Sequence, residues 1–141
     1  MRPNLNNLSG EKEALSLLEL NTRIRGALSR AFPETCWVRA EMSDVRVNTS
    51  SGHCYLEFVE KNVQTGQLVA KVRGSIWAKT FRMLKPYFEM ETGQMFASGL
   101  KVLVKVSVEF HSYSYLSGVK LSSENNSLGL IFSVSFLKII L

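Results

Sequence analysis

Residues 100–111 read LKVLVKVSVEFH, and they alternate. Leu100, Val102, Val104, Val106, Val108 and Phe110 fall on one side. Lys101, Lys105, Ser107, Glu109 and His111 fall on the other. A period of two is a strand period; the apolar positions of a helix recur every three or four residues. A strand with one long apolar face needs a matching surface to cover it. The rest of the chain must therefore supply more sheet, closed around a shared core.

Three further runs answer that need. CWVRAEMSDVRV sets Val38, Ala40 and Met42 against Trp37, Arg39 and Glu41. HCYLEFVE sets Cys54, Leu56 and Phe58 against His53, Tyr55 and Glu57. After the turn KNVQTGQ, LVAKVRGSIWA sets Ala70, Val72, Gly74 and Ile76 against Lys71, Arg73, Ser75 and Trp77. The last two runs form a hairpin, with the smaller, more apolar side toward the core. YSYLSGVKL is read as a fifth strand, with a bend at Gly118.

Helical signals frame these strands. In SLLELNTRIRGALSRAFPE, Ser16 and Glu19 have capping-box spacing, and Leu17, Leu20, Ile24, Ala27, Leu28 and Ala31 recur at helical intervals up to Pro33. The apolar face of this helix is expected to pack on the domain that follows, or else to contact another chain. Trp37 is expected to lie against it. KTFRMLK predicts a short helix ending at or before Pro86, because the residue before a proline disfavours helical backbone.

The order is helix, three strands, short helix, two strands. The predicted fold is all-β with accessory helices, a five-stranded OB-fold. This Greek-key barrel is preceded by an N-terminal helix and carries a short helix between strands three and four. The expected organisation is a flexible N-terminus over 1–12, the helix within 13–34, the barrel over 35–122 and an atypical tail over 123–141. With 141 residues the chain is long enough for one domain with a sizeable core.

The charge pattern points outward. The net charge is +5, and between Glu60 and Glu89 there is no acid but six bases, Lys61, Lys71, Arg73, Lys79, Arg82 and Lys85. A non-specific grip on a single nucleic-acid strand needs cations for phosphates and flat side chains for bases. Arg39, His53, Tyr55, Lys71, Arg73 and Trp77 supply both on the outer side of strands one to three. Lys79 and Arg82 extend the track onto the short helix. A ring beside a lysine can equally just cover a sheet surface, its polar tip wet.

Other chemistries find no support. The two cysteines, Cys36 and Cys54, and the two histidines lack metal-ligand spacing, so both thiols read as free, no metal site is assigned and no cofactor is expected. No nucleophile–base set or phosphate loop is present. Glu41, Asp44, Glu57 and Glu60 read as partners for nearby bases. Glu11 and Glu13 stand where a signal peptide would be apolar, and Lys138 interrupts an apolar end too short to span a bilayer. No membrane association is expected, and the expected location is cytoplasmic.

The motifs resemble the N-terminal part of the large subunit of bacterial exodeoxyribonuclease VII. They are Leu17-Leu18-Glu19-Leu20-Asn21, Trp37-Val38-Arg39-Ala40-Glu41-Met42-Ser43, Ser51-Gly52-His53-Cys54-Tyr55-Leu56, Val72-Arg73-Gly74-Ser75-Ile76-Trp77 and Gly99 to Val106. Ala40 stands where the family has glycine. The resemblance covers about residues 15 to 111 and implies an OB-fold that binds DNA. The parent enzyme degrades single-stranded DNA to oligonucleotides, with small subunits and a nuclease centre later in the chain. That later chain is not in this sequence, and the residues after 111 fit the family pattern poorly. The expectation is a truncated product, read in a shifted frame from about residue 112, that does not cut by itself. The expected function is single-stranded DNA binding as the substrate-gripping domain of such a subunit. A stand-alone single-strand binder for DNA or RNA and a protein-interaction module, docking through Leu17, Leu20, Ile24 and the apolar tail, remain as alternatives.

Overall fold

A computed structural model describes residues 13–111, 115–116, 119–120 and 129–139. The segment 1–12 expected to be flexible lies outside them. Helix α1 spans Leu17–Ala31 and starts as its sequence dictates, with the Glu19 N–H donating to Ser16 Oγ at 3.1 Å. It packs against strand β4, Lys101–His111, where Leu28 shares a cleft with Val108 and Phe110. No residue of α1 is buried, and Leu17 and Leu18 stay 74% and 73% exposed. Its apolar face is thus only partly used by the barrel.

Strands β1 (Cys36–Val47), β2 (Cys54–Lys61) and β3 (Leu68–Ile76) form a meander. β1 serves two partners. Its first half pairs with β4, from Cys36 opposite Val106 to Glu41 opposite Lys101. Its second half pairs with β2. Within the β2 pairing the register slips between Ser43 and Arg46, where Asp44 takes a left-handed φ of 48°. Aspartate tolerates that region because its short side chain can bond locally; here Asp44 Oδ1 accepts from Arg46 Nε at 2.9 Å.

The core lies where the alternation puts it. Met42, Cys54, Phe58, Ile76, Val102, Val104 and Val106 are all 2% exposed or less. Gly74, in mid-strand, makes room for one of them: a Cβ there would run into the Phe58 ring.

Helix α2, Ala78–Thr92, closes one end of the barrel with Phe81, Leu84 and Phe88. It passes through Pro86, where the sequence predicts an end. The proline removes one N–H bond on an exposed turn, where water can satisfy the freed carbonyl. The next turn is held from elsewhere. Phe88 is buried, Glu89 Oε2 accepts from the Phe96 N–H at 3.0 Å, and Glu89 Oε1 accepts from Lys85 Nζ at 3.0 Å. Gly93, left-handed at φ 67°, caps the helix.

The fifth barrel strand is not the one the alternation suggests. Tyr115–Leu116 (β5) and Val119–Lys120 (β6) form only a small separate hairpin. The barrel instead takes β7, Gly129–Ile139, from the stretch expected to be a tail. β7 runs antiparallel to β4 and parallel to β3, giving the closed order β1-β2-β3-β7-β4. Val134 and Leu137 enter the core. The apolar character that marks this stretch as atypical is what a strand buried on one face needs, and closure covers the edge of β4 along its length and the edge of β3 from Arg73 to Ser75. The barrel therefore extends past residue 122.

Candidate nucleic-acid interface

The interface is built first from the loop between β1 and β2. Asn48 Oδ1 accepts from the Ser50 N–H at 3.0 Å, the Ser50 hydroxyl at 2.7 Å and the Ser51 N–H at 3.1 Å. Gly52 supplies the left-handed residue, φ 79°, and the Asn48 N–H returns to the His53 carbonyl at 2.9 Å. An asparagine turned back on its own backbone makes a tight loop. The loop delivers His53 to the barrel end, where its Nδ1 accepts from the Ala78 N–H at 2.8 Å. His53 thus caps the start of α2, a helix whose own N-cap residue, Trp77, makes no side-chain cap. An accepting Nδ1 carries no proton, which makes the neutral ring an Nε2–H donor.

Three of the expected rings meet here. The His53 ring lies edge-on to Trp77 at 5.0 Å and to Tyr55 at 6.2 Å. Trp77 is not an outward residue of β3; it begins α2, and its Nε1–H donates to Ser133 Oγ of β7 at 2.9 Å. Tyr55 stands opposite Ser75, and partial burial pushes its phenol above the ordinary value, so it stays a protonated donor at neutral pH. The Ser75 hydroxyl is fully buried and has no partner among the described residues. Lys79 and Arg82 are exposed on the first turns of α2.

Lys71 and Arg73 continue outward along β3, opposite Val59 and Glu57. Their charge is moderated, since Lys71 Nζ lies 3.8 Å from the Glu57 carboxylate. Arg39 stands apart from this group. The register places it opposite Leu103 of β4, on the half of β1 that turns away from β2. Sequence alternation finds which side of a strand a residue takes, but it does not show that β1 changes partners midway. Ser133 lies on a strand that the sequence reading leaves out of the barrel. Among the described residues, no group of three His, Cys, Asp or Glu side chains could hold a metal, and no helix is long and apolar enough to cross a membrane.

The chain is similar to known proteins over most of its length. Over 124 residues, 84% of this chain, the sequence is 32% identical to the exodeoxyribonuclease 7 large subunit of Deinococcus radiodurans. The match takes in 29% of that relative, so the chain spans less than a third of its length. Among solved structures, the aspartyl tRNA synthetase of Entamoeba histolytica is similar with a TM-score of 0.47 and 12% identity, over 82% of this chain and 20% of that one. A chain assigned as an aspartyl-tRNA synthetase from Leishmania major has a TM-score of 0.46 and 14% identity, over 81% and 19%. Neither of these two likenesses bears on function. The family model of the OB-fold nucleic acid binding domain matches residues 15–117, from α1 through β4 and beyond. With that match and a five-stranded barrel closed in this order, the chain belongs to the OB-fold nucleic acid binding domain family.

Proposed function

We propose that this chain binds single-stranded DNA as the substrate-gripping N-terminal domain of an exodeoxyribonuclease VII-like large subunit. The observation that carries this reading is the joined ring cluster of Tyr55, His53 and Trp77, with Arg73 and Lys71 farther along β3 and Lys79 and Arg82 on the first turns of α2. Rings offer stacking to any base, and lysine and arginine offer phosphate contacts to any sequence. That combination suits a nuclease substrate domain that holds a strand without reading it. His53 and Trp77 are already bonded to the scaffold, so their rings are oriented before any strand arrives. In this reading, exonucleolytic hydrolysis to oligonucleotides belongs to the part of the large subunit beyond the aligned segment. Small subunits are partners of that full-length parent, and the working location is the cytoplasm, where its DNA substrate is.

The test is fluorescence anisotropy with a labelled single-stranded oligonucleotide at two salt concentrations. Wild type should bind, with log affinity falling by about 0.7 per phosphate contact for each decade of salt. A folded Tyr55→Ala/Arg73→Ala variant should bind more weakly and with a smaller slope. Absence of binding by folded wild type at low salt would refute the proposal. A second reading, a protein-docking module, is favoured by the exposed Leu17, Leu18 and Leu20 of α1; its binding would be nearly independent of salt.

A further inference from the structure

The outer surface of the barrel has a second half, formed by β1, β4 and β7. Cross-strand pairing arranges it in rows. Trp37 stands opposite Lys105, which stands opposite Phe136. Arg39 stands opposite Leu103, which stands opposite Lys138. Glu41 stands opposite Lys101. The rows bring together four cations, Arg39, Lys101, Lys105 and Lys138, and one acid. That acid is already engaged, with Glu41 Oε2 2.9 Å from Lys61 Nζ. Among the described residues none of the four cations has a carboxylate within ion-pair distance.

The first of these rows carries a large ring left open. Trp37 is 47% exposed and does not sit under α1 as its sequence position suggests. Lys138 Nζ lies 5.2 Å from its centroid and Lys105 Nζ 5.9 Å. Phe136 meets it edge-on at 6.1 Å, and Tyr87 of α2 lies 6.0 Å beyond Phe136. An exposed indole flanked by two ammonium groups that have no carboxylate partner among the described residues does not suit an apolar protein partner, which would have to bury those charges. It suits an anionic polymer carrying flat groups. The face around β2 and β3 is the more balanced of the two, with Glu57 set between its cations.

We infer that the β1–β4–β7 face is a second contact surface for the same single strand of DNA. Trp37 serves as a stacking platform, and Arg39, Lys101, Lys105 and Lys138 serve as phosphate contacts. This rests on the nucleic-acid reading above and extends it. The strand, once held at Tyr55 and Arg73, continues around the barrel over β1. The groove lined by Arg39, Glu41, Lys61 and Lys101 lies between the two surfaces.

The experiment compares wild type, Lys105→Gln, Trp37→Ala and the Tyr55→Ala/Arg73→Ala variant, each checked for folding, on oligonucleotides of about 4 and about 16 nucleotides, the range one OB-fold occupies. On the longer strand Trp37→Ala should weaken binding by about 5- to 150-fold, the equivalent of one stacked base. Lys105→Gln, which leaves the packing intact, should lower the salt slope by about 0.7. On the shorter strand both effects should be smaller. A Trp77→Phe variant leaves Trp37 as the single tryptophan, and its fluorescence should be quenched on titration. If wild type binds and the Tyr55/Arg73 variant weakens it while Trp37→Ala and Lys105→Gln change nothing, this second surface is refuted and the first stands. If wild type does not bind at all, both fall together.

Discussion

Removing β7 should unfold the domain. Ile131, Val134 and Leu137 are each 2% exposed or less. Burying an aliphatic side chain contributes about 1.5–3 kcal/mol, so these three alone supply roughly 5–9 kcal/mol. The whole stability of a domain is about 5–15 kcal/mol. A chain cut after residue 122 loses that contribution and opens the edge of β4, which pairs with β7 along its length, and the edge of β3 from Arg73 to Ser75. Circular dichroism of the truncated chain should therefore show no cooperative melt, and sedimentation should show aggregation. The point variant Leu137→Ala gives a graded version. It should cost about 2–5 kcal/mol and lower the urea midpoint without changing the slope. A truncated chain that melts cooperatively at the wild-type temperature would refute the placement of this strand in the barrel.

Other outcomes follow from single contacts. Gly74→Ala should cost about 1–3 kcal/mol, because its methyl meets the Phe58 ring; Phe58→Leu in the same chain should recover part of that loss in denaturant titration. Glu89 is held below its ordinary carboxylate value, mainly by the Phe96 N–H and then by Lys85. A lowered folded value means that this stabilisation is present above the ordinary value near 4.5 and fades as pH falls through the folded one. Melting temperature measured from pH 6 down to pH 3 should thus fall less steeply in Glu89→Gln than in wild type. Burial pushes the Cys54 thiol up to about 12, so alkylation at neutral pH should modify the half-buried Cys36 first and Cys54 only on unfolding; equal rates in the native protein would contradict the burial of β2.

Local patterns foretell most of the barrel. Period-two alternation locates β1 to β4 and their core faces, since each of those faces meets a single environment. The Ser16–Glu19 spacing locates the start of α1, because a cap is a contact within four residues. What is not legible depends on distant partners. Pro86 stays helical because Phe88, Glu89 and Phe96 hold the turn after it. β7 carries Ser133 and Ser135 among its apolar residues and slips register beside Lys105 and Val106, so its alternation is broken and reads as a tail. Within the candidate site, strand alternation finds Tyr55, Lys71 and Arg73. It misplaces Trp77 by one residue, since β3 ends at Ile76 and the indole turns into α2. It groups Arg39 with β2 and β3, because alternation does not show that the β2 ladder begins only at Glu41.

DNA binding on the β2–β3 face is tested most directly by an amide chemical-shift titration of the 15N-labelled chain with a short single-stranded DNA. The largest shifts should fall at His53, Tyr55, Lys71, Arg73 and Lys79 and be lost on raising the salt. Shifts confined to α1, or none at low salt, would contradict a DNA-binding role for the β2–β3 face.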